Sequence, residues 1–382
     1  MNLSNDRRKF IQQSMASAAG LVALPELAFP ASPQPSVILK TYTGATRMRF
    51  SVIGINHGHI FSMVKSLQRN GGELVSVYAP EADLLAAFTK EFPQVKVARS
   101  QAEILDDKSI QLIASSAIPA ERAVIGMAAM RHGKDVMVDK PGITSLEQLA
   151  EVRKVQQETK RIYSISYSER FENQATVKAG ELAKAGAIGN VIQTIGLGPH
   201  RMTLKSRPDW FFDQKNYGGI LTDIGSHQCD QFLYFTGSTT ADVVAAQAGN
   251  VHYPQYPQFQ DFGDLMLRGN GGMGYVRVDW FTPDGLSTWG DGRLTILGTE
   301  GYMELRKYVD ITGRPGGSHL FLVNQKETKY IDCSQVPLPY GGQLIDDVLN
   351  RTETAMSQTH CFLATELALK AQKKAEVIKL AK

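Results

Sequence analysis

The chain has 382 residues, a formal net charge of +3 and a charged fraction of 21%. This length corresponds to about two domains, and the hydrophobic fraction of 43% is ordinary for a folded protein. Because the net charge is small and no basic run follows the N-terminal segment, the sequence gives no indication of a surface that binds nucleic acid or an anionic membrane. The three cysteines, Cys229, Cys333 and Cys361, lack metal-ligand or redox spacing and are expected to be small buried side chains.

The N-terminal segment has the order of features of an export signal. Arg7 and Arg8 precede Phe10 and Ile11, a moderately apolar run covers residues 14–24, and prolines follow. This order resembles a twin-arginine signal peptide, which we place at residues 1–31, with a linker at 32–47. The resemblance implies export to the periplasm or beyond by the Tat machinery, with no membrane anchor after cleavage. A basic N-terminus of a cytoplasmic protein is the alternative.

Strand and helix patterns alternate from residue 48 onwards. Apolar strands are predicted at residues 49–54, 73–79, 110–117, 135–138 and 162–166, with helices between them. Strands that alternate with helices and are joined by short loops predict a doubly wound parallel sheet. We therefore assign residues 48–167 to a Rossmann domain of the α/β class.

The second half of the chain has a different pattern. A helix at 175–185 precedes strands at 191–197, 243–249, 263–267, 274–281, 294–297, 302–305 and 320–331, and a helix at 345–373 ends it. Strands that follow one another without helices predict an α+β domain with a large, open, mostly antiparallel sheet. We assign residues 168–382 to this domain, which we expect to bind substrate and to form homo-oligomers through its sheet.

The first strand-to-helix turn, residues 54–59, lies where a Rossmann domain binds the pyrophosphate of a dinucleotide. Only Gly54 fits the G-x-G-x-x-G pattern, because Asn56 and His59 replace the second and third glycines. A plain tight turn is therefore the alternative. Ala79 stands where a ribose-binding acid is expected, which leaves both NAD and NADP open. The predicted cofactor-binding residues are Gly54, Asn56, His57, Gly58, His59, Glu81, Pro119 and Asp139.

Two short segments contain the residue types of an acid–base site. Lys140 lies between Asp139 and Pro141 at the end of a predicted buried strand, the edge at which doubly wound sheets bind ligands. In residues 218–230, Asp223 and His227 are four apart, and on a helix that Asp223 caps or opens they would share one face. A carboxylate beside an imidazole can orient it and raise its basicity.

Each segment also has a structural interpretation. The lysine can be a surface residue at a turn, and Asp223 can be a helix cap beside a core histidine. A metal site through His227 and Asp230 has no third ligand at suitable spacing, so we assign no metal.

With these two segments, residues 49–373 resemble the glucose–fructose oxidoreductase, inositol dehydrogenase and rhizopine-catabolism (Gfo/Idh/MocA) family. The family's E-K-P tripeptide is here Asp139-Lys140-Pro141, and its G-G-x-x-x-D-x-G-x-H-x-x-D segment is here residues 218–230. The resemblance implies that Lys140, Asp223 and His227 are catalytic. His227 would take the hydroxyl proton while hydride moves to the nicotinamide. Lys140 would stabilise the substrate oxygen, and Asp223 would hold the substrate or tune the other two.

The resemblance implies an NAD- or NADP-dependent oxidoreductase that acts on a secondary alcohol of a sugar, glycoside or polyol. An exported enzyme has no free nicotinamide pool, so the cofactor is expected to be tightly bound. Two alternatives remain: glycoside cleavage through transient oxidation and elimination, and non-catalytic binding of a sugar or dinucleotide. Non-catalytic binding is favoured by residues 117–122, which lack the Asn and His of the family's T-P-N-x-x-H pattern.

Aromatic and hydrogen-bonding residues precede the glycine pair of the second segment. This mixture suits a sugar ring, which is apolar on its face and hydroxylated at its rim, although an ordinary loop with a core tryptophan would look similar. The predicted substrate-binding residues are Arg170, His200, Arg201, Arg207, Trp210 and Tyr217.

Overall fold

The structure is a computed structural model that describes residues 44–379. The predicted signal peptide, residues 1–31, lies outside the described residues, and so do residues 32–43 of the predicted linker. Within the described part of the chain, no helix combines the length and the apolar character that a membrane span requires.

The first sheet has six parallel strands in the order β3-β2-β1-β4-β5-β6. The strand order reverses between β1 and β4, and the crevice at the carboxyl ends of such strands is where open α/β sheets bind ligands. The prediction of a doubly wound parallel sheet is therefore confirmed. The strands are β1 (Met48–Ile53), β2 (Gly72–Tyr78), β3 (Lys96–Val97), β4 (Leu112–Ser115), β5 (Asp135–Asp139) and β6 (Tyr163–Ser166).

Five helices cover this sheet, and their first residues explain where three of them begin. Ser100 and Ser145 each accept a hydrogen bond from the backbone amide three residues further on, which caps the third and fifth helices. Pro119 opens the fourth helix, where its missing N–H leaves no bond unmade. The helices are α1 (His59–Gln68), α2 (Ala82–Glu91), α3 (Gln101–Asp106), α4 (Pro119–Arg131) and α5 (Leu146–Thr159).

The second sheet has nine strands in the order β14-β13-β12-β11-β7-β10-β9-β8-β15. Six of its eight neighbouring pairs are antiparallel, while β7 with β10 and β8 with β15 are parallel. The prediction of a mostly antiparallel sheet is confirmed. The strands are β7 (Val191–Pro199), β8 (Ala241–Gly249), β9 (Phe262–Gly269), β10 (Gly272–Asp279), β11 (Arg293–Gly298), β12 (Gly301–Arg306), β13 (His319–Asn324), β14 (Thr328–Asp332) and β15 (Glu376–Val377).

Two long predicted elements are each divided in the structure. The predicted strand 320–331 is the hairpin of β13 and β14, because the Asn324 side chain accepts the amides of Lys326 and Glu327 and turns the chain. The predicted helix 345–373 is two helices. Between them the Asp347 carboxylate accepts the backbone amides of residues 354 and 355, and Ser357 caps the second helix. These are α11 (Tyr340–Asn350) and α12 (Gln358–Lys374), of which α12 packs on α5 and β8.

Asp223 and His227 do not share one helix, contrary to the prediction. Asp223 is the last residue of one helix, and its carbonyl accepts the Ser226 hydroxyl at 3.2 Å, while the His227 amide bonds to Ile224 instead. The regular hydrogen-bond ladder is therefore interrupted at residue 224. The helices of residues 168–236 are α6 (Ser168–Phe171), α7 (Gln174–Lys184), α8 (Gln214–Tyr217), α9 (Ile220–Asp223) and α10 (Gly225–Thr236).

Candidate active site

A cavity of about 360 Å³ lies at the carboxyl ends of the parallel strands and extends to the second sheet. Its volume is within the range of small-molecule sites. The structure brings all three predicted catalytic residues to this cavity, together with five of the six predicted substrate residues. Its lining is His57, His59, Pro119, Arg122, Lys140, Ser168, Glu169, His200, Arg201, Thr203, Arg207, Trp210, Phe211, Tyr217, Asp223, His227, Trp280 and Trp289.

Lys140 and Asp223 form a buried ion pair at the cavity wall. Lys140 follows the last residue of β5, and its Nζ donates to Asp223 Oδ1 at 2.8 Å. Burial opposes ionisation of Asp223, but the Lys140 ammonium outweighs it and holds the pKa of that carboxyl below its ordinary value. An ammonium has three N–H donors, so Lys140 retains two for a ligand.

His227, in the first turn of α10, is 2% exposed and faces the same cavity. Burial lowers the pKa of this imidazole to about 3, an effect that Lys140 reinforces and Glu169 opposes. The ring is therefore neutral at neutral pH, which is the form that can accept a proton. Its Nδ1 has no hydrogen-bond partner among residues 44–379.

The dinucleotide turn retains the one feature that requires glycine. Gly54 has φ of +78°, and a Cβ there would lie 2.5 Å from Ala117 Cβ. Gly58 has a helical φ of −62° and precedes α1 without a side-chain cap. The amides of residues 60 and 61 donate to the carbonyls of residues 57 and 58 at 3.3 Å, so the amides of Gly58 and His59 are the ones that can bind an anion. The backbone of the turn therefore fits a pyrophosphate although two glycines of the pattern are replaced.

Two histidines of the turn, His57 and His59, converge on Asp139, which is fully buried. His57 Nδ1 lies 2.8 Å and His59 Nδ1 2.9 Å from its two oxygens, and the Arg122 guanidinium lies 3.2 Å away. Burial raises the pKa of Asp139, but His59, Arg122 and His57 outweigh this effect and hold it well below the ordinary value. Asp139 is therefore an anion that joins the turn to β5 and, through Arg122, to α4.

The same three residues, His57, His59 and Asp139, bring one potential metal-ligand atom each within 4.8 Å of the others. A buried Arg122 already supplies the positive charge that a metal ion would bring to Asp139, and a second cation beside it would be repelled. The cluster of Asp139 with Arg122 and the two histidines is therefore the arrangement that the charges favour.

Glu81 provides an acid beyond the end of β2. Asn56 Nδ2 donates to Glu81 Oε1 at 2.7 Å, and Glu81 Oε2 is buried without a partner in the described part of the chain. Glu121 lies close enough that burial and the charge of Glu81 both raise its pKa. The pair makes this edge acidic and leaves one carboxylate oxygen able to accept a hydroxyl.

An aromatic wall faces Lys140 and His227 from the second sheet. The His200 ring packs against Trp289 at 4.5 Å and Trp280 at 5.2 Å between ring centroids. His200 Nδ1 is 3.1 Å from the Gly198 carbonyl, and burial lowers the pKa of the ring to about 4. A neutral His200 therefore donates through Nδ1 and has Nε2 available as an acceptor.

The remaining predicted substrate residues have mixed surroundings. The Arg207 guanidinium lies 4.5 Å from the Phe211 ring centroid and 4.7 Å from that of Trp280. The Arg201 guanidinium donates to the carbonyls of residues 283 and 286. Tyr217 is buried, and its hydroxyl accepts the amide of Gln260 at 3.0 Å. Trp210 also lines the cavity.

Arg170 is the predicted substrate residue that the structure does not bring to the cavity. Its guanidinium forms two hydrogen bonds of 2.7 Å with Asp230, which also contacts His360. Asp230 is therefore occupied by these two side chains and is not free to ligate a metal together with His227.

Sequence reasoning missed seven residues of the cavity lining, namely Arg122, Ser168, Glu169, Thr203, Phe211, Trp280 and Trp289. Arg122 carried a signal, because it lies within the altered T-P-N-x-x-H pattern, three residues after Pro119. Glu169 directly precedes Arg170, so the segment that sequence reasoning selected reaches the cavity through the neighbouring residue.

Two family models match the chain in succession. The model described as "Oxidoreductase family, NAD-binding Rossmann fold" matches residues 48–167, and the model of the Gfo/Idh/MocA C-terminal domain matches residues 176–304. The chain belongs to the Gfo/Idh/MocA family. The resemblance seen in the sequence is thus confirmed, and so is a nicotinamide dinucleotide as the cofactor.

One solved structure is similar over nearly the whole described chain. It is a putative oxidoreductase from Erwinia carotovora atroseptica, 48% identical, with a TM-score of 0.84, and the match covers 87% of this chain and 100% of that one. A scyllo-inositol 2-dehydrogenase (NADP(+)) of Bacillus subtilis, IolW, is 25% identical over 46% of this chain and 49% of its own length. The scyllo-inositol 2-dehydrogenase (NAD(+)) of the same organism is 25% identical over 67% and 72%.

The match therefore spans about half the length of the first of these curated relatives. The family is established, whereas the substrate of this protein and the roles of its individual residues are matters for proposal.

Proposed function

We propose that this protein is an NAD-dependent dehydrogenase that oxidises a secondary alcohol of a sugar or polyol. The observation that carries the proposal is the cavity in which a Lys140–Asp223 ion pair and the neutral His227 meet at the ligand-binding edge of a Rossmann sheet. The relatives that act on scyllo-inositol support a polyhydroxylated substrate.

In this reaction one residue accepts the hydroxyl proton and another donates a hydrogen bond to the substrate oxygen. When bound, the nicotinamide supplies the acceptor for the hydride that leaves the carbinol carbon with its electron pair. His227 takes the hydroxyl proton, and Lys140 donates a hydrogen bond to the same oxygen as it becomes a carbonyl oxygen. Asp223 holds the Lys140 ammonium in place at 2.8 Å.

The second sheet supplies the surface for the substrate ring. Trp280 and Trp289 offer apolar faces, while His200 and Arg207 offer polar groups beside them. Sugar rings combine an apolar face with a hydroxylated rim, so this wall fits them.

Glu81 favours NAD over NADP. Its free Oε2 can accept a ribose hydroxyl, whereas a 2′-phosphate would meet the negative charges of Glu81 and Glu121. The two similar dehydrogenases of Bacillus subtilis use different dinucleotides, so the family alone does not determine this preference.

Export and tight cofactor binding belong to the same proposal. Arg7 and Arg8 before an apolar run support transport by the Tat machinery, and homo-oligomers through the second sheet remain part of the proposal. Replacing Arg7 and Arg8 with lysine should retain the protein in the cytoplasm without altering its melting temperature. Unchanged export would refute this part alone.

The main test begins with the purified protein. Mass spectrometry after denaturation should detect released NAD, and the folded protein should then oxidise members of a panel of inositols and hexoses with formation of NADH. Product analysis accompanies the assay, because net hydrolysis without net oxidation would contradict a dehydrogenase. A folded preparation that contains no nucleotide, and binds neither NAD nor NADP at millimolar concentration, would refute the proposal.

A further inference from the structure

Five buried side-chain atoms of cavity-lining residues lack a hydrogen-bond partner among residues 44–379, and two of them belong to neighbouring functional groups. These two are Oε1 of Glu169 and Nδ1 of His227. Both residues are 2% exposed and both line the cavity. A buried polar atom without a partner costs free energy, so a carboxylate kept in this state beside a proton-accepting imidazole suggests a role in the reaction.

Glu169 is hydrogen-bonded to α10, the helix that contains His227. Its Oε2 accepts from Lys307 Nζ at 2.6 Å and from Gln228 Nε2 at 2.8 Å. Gln231 extends the network, since its Nε2 donates to the His227 carbonyl at 3.0 Å and its Oε1 accepts from Lys307 at 2.7 Å. The carboxylate therefore has a fixed position relative to the first turn of α10.

The Glu169–Lys307 ion pair is fully inside the protein, because Lys307 has no exposed surface. A buried ion pair is not by itself a gain in stability, since an apolar pair of similar volume often stabilises a fold equally well or better. Burial opposes ionisation of Glu169, but Lys307 and His227 outweigh it and hold the pKa of Glu169 far below the ordinary value. The carboxylate is thus an anion beside His227.

The other groups that act on His227 have the opposite effect. Lys140 at the end of β5, His59 in α1 and His200 after β7 all disfavour a positive charge on this ring. Tyr167 packs edge-on against it, with 6.2 Å between ring centroids, and has a pKa raised by burial, so it is neutral. Glu169 is the group in this set that favours the imidazolium form.

We propose that Glu169 is a positioning residue for His227. Its carboxylate, held by Lys307 and two glutamines of α10, stabilises the imidazolium that forms when His227 takes the substrate's hydroxyl proton. The proton remains on His227 and Glu169 remains ionised, so the carboxylate balances charge without entering the chemistry. Lys307 offsets part of this negative charge and thereby keeps His227 neutral before the reaction. The proposal rests on the proposed function.

The first test compares Glu169→Gln with the unaltered enzyme in steady-state kinetics on the polyol that it oxidises. We expect kcat to fall about tenfold, the equivalent of one pKa unit of lost stabilisation of the imidazolium. KM should stay constant, the solvent deuterium isotope effect should increase, and Glu169→Asp should recover part of the rate. Glu172→Gln is the matched control, because Glu172 Oε1 is also unpartnered in the described chain but does not line the cavity.

A raised KM at unchanged kcat, or equal losses in Glu169→Gln and Glu172→Gln, would overturn the proposal. Removing one charge of a buried ion pair can unfold the protein, because the other charge is left buried without a partner. The double variant Glu169→Gln/Lys307→Met is therefore measured as well. It leaves neither charge unpaired and should retain the low kcat of Glu169→Gln. A double variant with normal kcat would also overturn the proposal.

The second test needs no turnover. In Lys307→Met the negative charge of Glu169 is no longer offset by Lys307, so the pKa of His227 should rise. In Glu169→Gln that negative charge is absent, so the pKa of His227 should fall. Nuclear magnetic resonance of labelled histidine rings measures this, with His227→Asn assigning one signal among the eight histidines. An unchanged His227 titration in Lys307→Met refutes the role of Glu169 even in an active enzyme. A shifted titration without any dehydrogenase activity would refute the proposed function alone.

Discussion

The dinucleotide turn and the Lys140–His227 site lie at the same sheet edge, but they depend on sequence in different ways. The turn has lost two of its three glycines, yet its geometry survives through Gly54 and through the contacts of His57 and His59 with Asp139. The catalytic site has the family residue types, and its side chains meet within one cavity. A phosphate site made of backbone amides tolerates replacement of side chains, whereas a site that moves protons does not.

Asp139 connects the dinucleotide turn to the Lys140–His227 site. In the E-K-P pattern the acid precedes the lysine, and here that acid also contacts the two histidines of the turn. Arg122 completes the arrangement by donating to the carbonyl of Ala117 at 2.7 Å and approaching the Asp139 carboxylate. The dinucleotide turn and Lys140 are thus connected at the end of β5, because Asp139 contacts the turn and Lys140 is the next residue.

The largest expected effect lies on the catalytic side. His227→Asn and Lys140→Met should each lower kcat by roughly 10²–10⁴-fold, because one removes the proton acceptor and the other the donor to the substrate oxygen. Steady-state assays measure the rate, and nucleotide binding with thermal unfolding shows that the fold persists. Near-normal turnover in both variants would show that the two regions do not differ as described.

The next effect tests the backbone of the turn. Gly54→Ala places a Cβ against Ala117 at a φ of +78°, and such strain costs about 1–3 kcal/mol. We expect weaker NAD binding and a lower melting temperature, measured by titration calorimetry and thermal unfolding. Gly58→Ala is the matched control, since its φ is −62° and a Cβ there meets no atom within 4 Å. Equal losses in the two variants would contradict a glycine requirement confined to position 54.

A smaller effect concerns the choice of dinucleotide. Glu81→Gln removes the charge that accepts a ribose hydroxyl and repels a 2′-phosphate, so the preference for NAD over NADP should fall roughly 10- to 100-fold. Ratios of kcat/KM for the two cofactors measure it, with Asp83→Asn at an exposed position of α2 as control. An unchanged ratio would remove Glu81 from the cofactor site.

The sequence predicts the two sheets, most element bounds and the meeting of Lys140, Asp223 and His227 at one cavity, because these follow from periodicity and from two short motifs. It does not predict the helix break at residue 224, which depends on the Ser226 hydroxyl occupying the Asp223 carbonyl. Nor does it predict which of Glu169 and Arg170 faces the cavity, since both lie in one helical turn and only the pairing of Arg170 with Asp230 decides it. Long-range contacts of this kind leave no local pattern.

The smallest expected effect is confined to acid and again separates the two regions. Burial lowers the pKa of His57, in the turn, to about 4, whereas an unfolded histidine titrates near 6.5. Between these values the unfolded state binds the extra proton, so the stability present above about pH 6.5 is lost as the pH falls towards 4. His57→Gln should therefore reduce the loss of unfolding free energy between pH 7 and pH 5 by about 2 kcal/mol. Urea unfolding at the two pH values measures this, and equal losses in both proteins would show that His57 does not carry the turn's response to acid. His227, with a pKa of about 3, protonates only in stronger acid, so the turn is expected to respond before the catalytic base does.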